Sequence, residues 1–303
     1  MIKTLAWFDG QILPVQDIRI SPLSHALHYG TGAFEGIRAY ELEGGGGGIF
    51  RLKEHIDRLI DSSRVLDLEL EYDRQQLMEA CRETLRANEM KEGYLRPLCW
   101  LGEGGMGVSG MNCPTHTMIA VWPWGAYLGE EGMRKGIRVI TSSYERIAPN
   151  AGAKNAKLTG AYFVGFMAKR NVLALGMDEA ILLDRDGYLT EGSGENIFVV
   201  KNGKVLTTPT SSPILPGITR DTVLALCADH DITVEEARFS RSEIYTADEV
   251  FMVGTAAEVT PIREIDGRPV RTAPGEITQQ LQKEYLSLVR GAHPRAKEWI
   301  TPV

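Results

Sequence analysis

The sequence predicts a two-domain protein of mixed α/β or α+β class. Its 303 residues are enough for two domains that each bury a hydrophobic core. Hydrophobic residues make up 43% and charged residues 24%, the balance of a folded globular chain. Strand-like and helix-like segments occur in both halves. The polar, glycine-containing residues 125–136 predict an interdomain linker between domains 1–124 and 137–303.

The first domain is predicted to open with a β-hairpin, because strand-like residues flank the turn Asp9-Gly10. Apolar residues three or four apart then predict two amphipathic helices, and two apolar runs predict buried strands. In chain order the predicted elements are strands 5–8 and 12–15, helices 52–68 and 74–90, and strands 94–101 and 117–122.

The second domain is predicted to mix strands and helices as well. In chain order its predicted elements are strand 137–142, helix 160–175, strands 180–184, 188–190, 196–201 and 205–208, helix 219–228, strand 249–253 and helix 274–289. No internal repeat of solenoid length interrupts this pattern.

Composition excludes several classes of protein. The net charge of -7 and the absence of a basic stripe argue against a nucleic-acid partner. No apolar run approaches the roughly 20 residues of a membrane helix, and residues 1–10 lack the apolar region of a signal peptide. The four cysteines are widely spaced without a Cys-x-x-Cys pair, so neither a metal site nor a disulfide framework is expected. These features predict a cytoplasmic protein.

Two glycine-rich segments are interpreted as loops. The run Gly44–Gly48 is predicted to form a flexible hairpin tip, since it lacks the Gly-Lys-Ser/Thr ending of a phosphate loop. Gly102, Gly104 and Gly107 match the spacing of a dinucleotide fingerprint. The residues that follow, 108–114, cannot open a helix, so the anion site of that fingerprint is missing. A glycine-rich loop at the rim of a site is the better interpretation.

Three turns contain residues that would suit a bound ligand, although each is also compatible with an ordinary turn. The segment 215–221 resembles a helix start with Thr219 as N-cap, which suits a phosphate but also any ordinary helix. Small residues in 254–258 would let a ligand approach the backbone, although a plain turn has the same composition. The turn 191–196 offers carboxylates that would pair with a cationic ring nitrogen or simply be solvated.

A lysine just before a predicted helix is a candidate for Schiff-base chemistry. Lys154 and Lys157 both lie among small, uncharged residues, which makes each a candidate for an amine with a lowered pKa that forms a Schiff base with a carbonyl. The residues alone leave the choice between them open. His25 and His28 are interpreted as structural, because no third metal ligand lies nearby in the sequence. A Ser/His/Asp hydrolase is not expected either, because no Gly-x-Ser-x-Gly elbow is present.

Taken in order, nine segments resemble the class IV, fold-type IV pyridoxal-phosphate aminotransferases, and among them the bacterial branched-chain amino acid aminotransferases. The resemblance implies a small N-terminal α/β domain and a larger C-terminal β-barrel-like domain with flanking helices. The segments are His25–Gly30, Phe34–Arg38, His55–Leu59, Tyr94–Pro97, Pro123–Tyr127, Asn155–Lys157, Glu191–Asn196, Leu215–Arg220 and Gly254–Glu258.

This resemblance implies pyridoxal 5′-phosphate as the cofactor and Lys157 as the catalytic Schiff-base lysine. Tyr162, five residues further on, matches the tyrosine that bonds the cofactor's phenolic oxygen. Glu191 matches the carboxylate at the ring nitrogen. The remaining cofactor-binding residues implied are Arg58, Leu215, Gly217, Ile218, Thr219, Gly254 and Thr255.

The implied reaction is a ping-pong transamination between L-leucine, L-isoleucine or L-valine and 2-oxoglutarate. Arg96 matches an arginine assigned to the side-chain carboxylate of glutamate. A loop containing Met106 and Val108 resembles one that the family lends to its neighbour's site, which implies at least a homodimer, with a trimer of dimers as an alternative. The other substrate residues implied are Tyr29, Phe34, Gly36, Arg38, Tyr94, Trp124, Tyr127 and Ala256.

Four alternatives share parts of this pattern. A D-amino acid aminotransferase should lack the paired Tyr94 and Arg96, and an aminodeoxychorismate lyase would release pyruvate. An (R)-selective amine transaminase fits the branched-chain segments less well. A non-catalytic cofactor-binding protein would not complete a half-transamination.

Overall fold

The computed structural model describes residues 4–125 and 127–303. Met1–Lys3, part of the segment searched for a signal peptide, and Ala126, part of the predicted linker and of the fifth matching segment, lie outside the described residues. The chain forms two compact units. The first contains the described residues up to Trp124 together with Ala156–Ala161 and Leu288–Val303, and the second contains the rest. The domain limits inferred from the sequence remain a prediction.

The helices and strands alternate along the described chain. In chain order they are β1 (Leu5–Phe8), β2 (Gln11–Pro14), α1 (His25–Tyr29), β3 (Gly32–Phe34), β4 (Ile37–Glu41), β5 (Gly47–Phe50), α2 (Leu52–Val65), α3 (Arg74–Ala87), β6 (Gly93–Leu101), β7 (Thr115–Trp122), α4 (Glu130–Lys135), β8 (Ile137–Glu145), α5 (Phe163–Ala174), β9 (Glu179–Leu183), β10 (Leu189–Gly192), β11 (Asn196–Lys201), β12 (Lys204–Thr207), α6 (Ile218–Asp229), β13 (Val234–Glu236), α7 (Arg241–Ile244), β14 (Glu249–Gly254), β15 (Glu258–Ile265), β16 (Arg268–Pro269), α8 (Glu276–Val289), α9 (Ala296–Trp299) and β17 (Ile300–Pro302).

The first unit is built on an antiparallel sheet with the order β17-β5-β4-β6-β7-β1-β2, and β3 pairs with β6. The predicted hairpin β1–β2 is confirmed: Asp9 and Gly10 both adopt positive φ, as a tight hairpin turn requires. The glycine run is only partly a hairpin tip. Gly47 and Gly48 belong to β5, and a Cβ on Gly48 would lie 2.5 Å from the Ile300 side chain on β17.

The second unit contains a closed barrel. Its sheet has the order β10-β9-β8-β15-β14-β11-β12-β13, and β10 also pairs with β11, so six strands of the described chain close on themselves. Pairing is parallel for β8 with β9 and with β15, and antiparallel elsewhere around the ring. The predicted α/β class with a barrel-like second domain is therefore confirmed.

Two predicted helix starts are wrong by a few residues. The helix expected from residue 160 begins as α5 at Phe163, after a short 3-10 turn over Thr159–Tyr162. The helix expected to be capped by Thr219 begins as α6 at Ile218, with Gly217 as the N-cap. Thr219 is buried inside the first turn. Within the described ranges, no helix combines the length and the apolar composition that crossing a bilayer requires.

Candidate active site

The two candidate lysines have different surroundings. Lys154 donates from Nζ to three backbone carbonyls, those of Thr210 at 2.6 Å, Ser211 at 2.9 Å and Ser212 at 3.1 Å, all in the second unit. Three acceptors match the three protons of an ammonium group. Lys154 therefore holds the loop that contains these carbonyls.

Lys157 lies in the first unit, with its amine above an aromatic face. Its backbone N–H donates to Ser62 Oγ at 2.9 Å, and its carbonyl accepts from the Phe34 N–H at 3.0 Å. Nζ lies 5.0 Å from the centre of the Phe34 ring. These two backbone hydrogen bonds therefore fix the position of the backbone that carries the Lys157 side chain.

The segment around Lys157 is further held by the turn that precedes β3. Thr159 Oγ1 donates to the Gly30 carbonyl at 2.7 Å, and the Gly160 N–H donates to the same oxygen at 3.2 Å. Gly30 has a φ of +69°, and a Cβ there would lie 2.9 Å from the Gly160 Cα. Only glycine fits both the backbone conformation and this close approach.

A buried cluster of charged and polar side chains lies beside this segment. Glu35 accepts from Arg58 Nε at 2.6 Å and Nη2 at 2.9 Å, and from His55 Nδ1 at 2.7 Å. Burial alone would raise the pKa of Glu35, but the charge of Arg58 and the hydrogen bonds from Arg58 and His55 hold it far below its usual range. Burial lowers the pKa of His55, and the nearby cations Arg58 and Lys157 add to this, against the opposing carboxylate. Glu35 is therefore ionised and His55 neutral near pH 7.

Arg96 on β6 is surrounded by aromatic rings. Its guanidinium carbon lies 4.8 Å from the Phe34 ring centre, 5.4 Å from that of Tyr94 and 5.8 Å from that of Trp122. Nη2 is 3.4 Å from the Tyr94 hydroxyl, and Nε is buried without a hydrogen-bond partner among the described residues. A buried N–H that stays unsatisfied costs about 1–3 kcal/mol, so this group suits an anionic ligand.

Gly36 makes room for the Tyr94 hydroxyl. A Cβ at Gly36 would lie 1.8 Å from that oxygen, so any larger residue would displace the ring. Tyr94 also packs against Trp124, with ring centres 5.0 Å apart. The result is an aromatic wall next to Arg96.

The loop containing Met106 and Val108 is attached to α1. Tyr29 donates from its hydroxyl to the Met106 carbonyl at 2.9 Å. His25 is hydrogen-bonded at both ring nitrogens, to Thr31 Oγ1 at 2.8 Å and to the Gly107 carbonyl at 2.9 Å. Val108 extends beyond these contacts and is 81% exposed.

In the second unit, Glu191 on β10 is held by a set of donors. Its Oε1 accepts from Arg146 Nε at 2.6 Å, and its Oε2 accepts from Asn196 Nδ2 at 3.2 Å and the Leu215 N–H at 3.0 Å. An arginine partner and N–H donors both favour the ionised carboxylate. The turn predicted to present this carboxylate is thus a fixed structure between β10 and β11.

The start of α6 has the features of an anion site. Gly217 is the N-cap and, as a glycine, offers no side chain to the first N–H groups of this 12-residue helix. A Cβ at Gly217 would lie 2.1 Å from Asn196 Oδ1. The same asparagine therefore contacts Glu191 and packs against the helix start.

A second buried acid, Glu195, lies in the same turn. Burial is the main cause that raises the pKa of Glu195 to about 8, and the negative charge of Glu179 is the next largest. Lys169 is bound to Glu179, with Nζ 2.5 Å from Oε2, and Arg146 is bound to Glu191. Each cation is thus engaged with another carboxylate, which explains why Glu195 retains a proton near neutral pH.

The candidate site residues fall into two sets, one in each unit. The first unit holds Tyr29, Phe34, Gly36, Arg38, Arg58, Tyr94, Arg96, Met106, Val108, Trp124 and Lys157, and the second holds Tyr127, Tyr162, Glu191, Leu215, Gly217, Ile218, Thr219, Gly254, Thr255 and Ala256.

Sequence reasoning assigned no role to Glu35, His55, Ser62 or Arg146. Glu35 and His55 stood within matching segments, and His55 precedes Arg58 by nearly one helical turn, so a charge cluster was discoverable there. Arg146 had no local signal, because its partner Glu191 is 45 residues away.

Comparison with known proteins shows the family to which this chain belongs. The family model described as amino-transferase class IV matches residues 32–265. The chain belongs to the class IV aminotransferases. It is 45% identical to the branched-chain-amino-acid aminotransferase of Pseudomonas aeruginosa, over 98% of this chain and 96% of that protein. This enzyme of amino-group transfer thus resembles the branched-chain members of the family.

Solved structures of other branched-chain members resemble this aminotransferase closely. The Escherichia coli enzyme matches with a TM-score of 0.96 and 41% identity, over 98% of both chains. The enzyme of the organism abbreviated T.th., with pyridoxamine 5′-phosphate, matches with a TM-score of 0.95 and 44% identity, over 99% of this chain and 98% of that chain. The same enzyme complexed with N-(5′-phosphopyridoxyl)-L-glutamate matches with a TM-score of 0.93 and 42% identity, over 99% of this chain and 98% of that chain.

Proposed function

We propose that this aminotransferase transfers the amino group of L-leucine, L-isoleucine or L-valine to 2-oxoglutarate, which gives the branched-chain 2-oxo acid and L-glutamate. Pyridoxal 5′-phosphate is the proposed cofactor and Lys157 the residue that binds it covalently. The observation that supports this proposal most strongly is the environment of Arg96. Aromatic rings around the guanidinium offer apolar contacts, and its Nε is a buried donor without a hydrogen-bond partner among the described residues.

The residues present fit a phosphorylated pyridine aldehyde. The first turn of α6, whose N-cap is a glycine, is proposed to supply backbone donors for a phosphate, and Arg58, held by Glu35, is proposed to supply a guanidinium. Thr219, Gly254 and Thr255 are assigned to the same phosphate, with Leu215 and Ile218 beside it. Tyr162 is assigned to the phenolic oxygen. When bound, the cofactor supplies an aldehyde for an imine bond and a ring that accepts electrons from the substrate Cα.

Lys157 is proposed to move the proton at the substrate Cα. Once displaced from the cofactor by the amino acid, its amine is the base that takes this proton and the acid that returns it at the neighbouring carbon. The contacts to Ser62 and Phe34 fix the backbone from which the amine works. Lys154 is not suited to this role, because its ammonium is engaged with three carbonyls.

Glu191 is proposed to hold a proton at the ring nitrogen. A carboxylate that stays ionised favours a cationic ring, which is the better electron acceptor. Arg146 has a supporting task, since its contact with Oε1 keeps Glu191 ionised and fixed in orientation. Asn196 and the Leu215 N–H hold the second carboxylate oxygen.

Substrate recognition must serve two kinds of side chain. Phe34, Tyr94 and Trp124 offer apolar surface for leucine, isoleucine and valine, with Tyr127 assigned to the same wall. Arg96 offers a planar donor for the second carboxylate of glutamate. The glutamate adduct bound by the T.th. relative supports this dual use. Thr255 and Ala256 are assigned to the substrate α-carboxylate, and Arg38 to supporting Tyr29.

A homodimer, or a larger assembly of dimers, completes the proposal. Val108 is 81% exposed on a loop that α1 holds in place, as expected of a side chain contributed to a neighbouring copy. A cytoplasmic location is proposed from composition. The described cysteines are unpaired, in keeping with a reducing compartment.

A half-reaction absorbance experiment tests the proposed function. L-leucine should convert the band of the lysine-bound cofactor to that of the amine form, and 2-oxoglutarate should restore it. A response to D-alanine but not to L-leucine would replace the substrate assignment with that of a D-amino acid aminotransferase. Absence of any cofactor band after reconstitution would refute the proposal as a whole.

A further inference from the structure

Glu35 is a fully buried carboxylate held by basic side chains. It is 0% exposed and accepts three side-chain hydrogen bonds, two from Arg58 and one from His55. Removing a charged group from water is costly unless it is paired and hydrogen-bonded. A charged group retained at such a position indicates a task beyond packing.

Arg58 binds the carboxylate of Glu35 in a bidentate contact, here called the fork. Nε lies 2.6 Å from Oε1 and Nη2 lies 2.9 Å from Oε2, so the guanidinium plane is fixed by two parallel bonds. The fork uses one edge of the guanidinium, and Nη1 lies outside it. A guanidinium held in this way is fixed in one orientation.

His55 fixes the carboxylate from another side. Nδ1 lies 2.7 Å from Oε2, and because burial keeps the ring neutral, it contributes a hydrogen bond without adding a charge. His55 and Arg58 are on the same helix, α2, three residues apart, so both donors are positioned by one rigid element. The carboxylate therefore cannot rotate without losing bonds to both.

We propose that Glu35 is a positioning residue that orients Arg58 for the phosphate of the cofactor. The inference rests on the proposed function, in which Arg58 binds that phosphate. Glu35 does not contact the cofactor itself. It acts by holding the guanidinium in one orientation before the phosphate arrives, so that binding does not have to restrict an otherwise mobile side chain.

Glu35→Asp is the informative variant, because it keeps the charge and withdraws the carboxylate by about one carbon–carbon bond, roughly 1.5 Å. The fork to Arg58 is then lost while the local charge is unchanged. Glu35→Gln would also remove a negative charge that repels the phosphate, and the two effects would oppose each other. His55→Gln is a second variant, in which the carboxylate is retained but loses its lateral donor.

The experiment compares two ligands of the apoprotein that differ only in the phosphate, pyridoxal 5′-phosphate and pyridoxal. Dissociation constants are measured by absorbance titration for the wild type and for each variant. Glu249→Asp is the matched control, since Glu249 is a buried carboxylate of the second unit that accepts from the Thr278 N–H and hydroxyl.

Glu35→Asp is expected to weaken pyridoxal 5′-phosphate about 10-fold and pyridoxal less than 2-fold, as loss of one oriented charge-assisted contact implies. His55→Gln should change the ratio of the two constants about 3-fold in the same direction, and Glu249→Asp should leave it unchanged. A purely structural role would weaken both ligands equally, and an unchanged ratio in folded Glu35→Asp and His55→Gln would overturn the inference. Failure of the wild type to bind pyridoxal 5′-phosphate would instead refute the proposed function.

Discussion

Replacing the buried acid Glu195 by glutamine should make stability much less sensitive to alkaline pH. Glu179, Glu191 and Glu195 are all buried, and Lys169 and Arg146 each neutralise one of the first two. Glu195 is left to keep its proton, and its pKa rises from 4.5 to about 8. The folded state binds this proton more tightly than the unfolded state does. The proton's contribution to the free energy of unfolding is therefore fully present below pH 4.5. It is lost as the pH rises to about 8.

The size of the effect follows from the shift. Each pKa unit corresponds to about 1.4 kcal/mol, so the free energy of unfolding falls by up to about 5 kcal/mol across this window. Glutamine has no proton to lose and keeps the shape of the neutral acid. The stability of Glu195→Gln relative to wild type should therefore increase by several kcal/mol between about pH 5 and about pH 8.5.

Denaturant unfolding of the holoenzyme at both pH values measures this difference. Comparing the variant with wild type at each pH cancels contributions from all other titrating groups. Glu92→Gln, at an exposed position, is the matched control and should show no such trend. If the stability difference between Glu195→Gln and wild type is the same at both pH values to within about 1 kcal/mol, the assignment of a neutral Glu195 is wrong.

Three further substitutions test the substrate and cofactor assignments. Gly36→Ala places a Cβ 1.8 Å from the Tyr94 hydroxyl and should lower kcat/KM for L-leucine at least about 10-fold. Gly44→Ala is the control, because its Cβ meets no atom within 4 Å and kcat/KM should not change. Equal kcat/KM for the two variants would contradict the described packing of Tyr94. Arg96→Gln should raise KM for 2-oxoglutarate about 10-fold or more with a much smaller change for L-leucine, and a uniform rise would refute its selective role. Arg146→Gln should slow the L-leucine half-reaction about 10-fold while cofactor stays bound, and an unchanged rate would exclude Arg146 as the support of Glu191.

Local sequence patterns predicted many of the regular elements, but not the short elements α1, β3, α4, α7 and β17. The hairpin β1–β2 followed from Asp9-Gly10, and helix α2 followed from apolar residues at helical spacing. Strand β15 was missed because Pro261 lies inside it, and proline argues against a strand in sequence terms. Closure of the barrel depends on the pairing of β10 with β11 and on strands far apart in the chain, which no local pattern specifies.

The candidate site was predictable where its residues form contiguous segments. Glu191 and the turn before α6 both stood out, although the cap was assigned to Thr219 instead of Gly217, because a serine or threonine is the usual N-cap. Composition alone left Lys154 and Lys157 equivalent. They differ through contacts that are distant in sequence, since the carbonyls that engage Lys154 lie more than 50 residues away.

The most direct test of the account is to locate the covalent bond to the cofactor. The protein loaded with pyridoxal 5′-phosphate is reduced with borohydride, digested and mapped by mass spectrometry, with Lys154→Ala and Lys157→Ala treated in parallel. One phosphopyridoxyl group is expected on Lys157, retained in Lys154→Ala and absent from Lys157→Ala. A modification on Lys154, or modification of both variants alike, would contradict it.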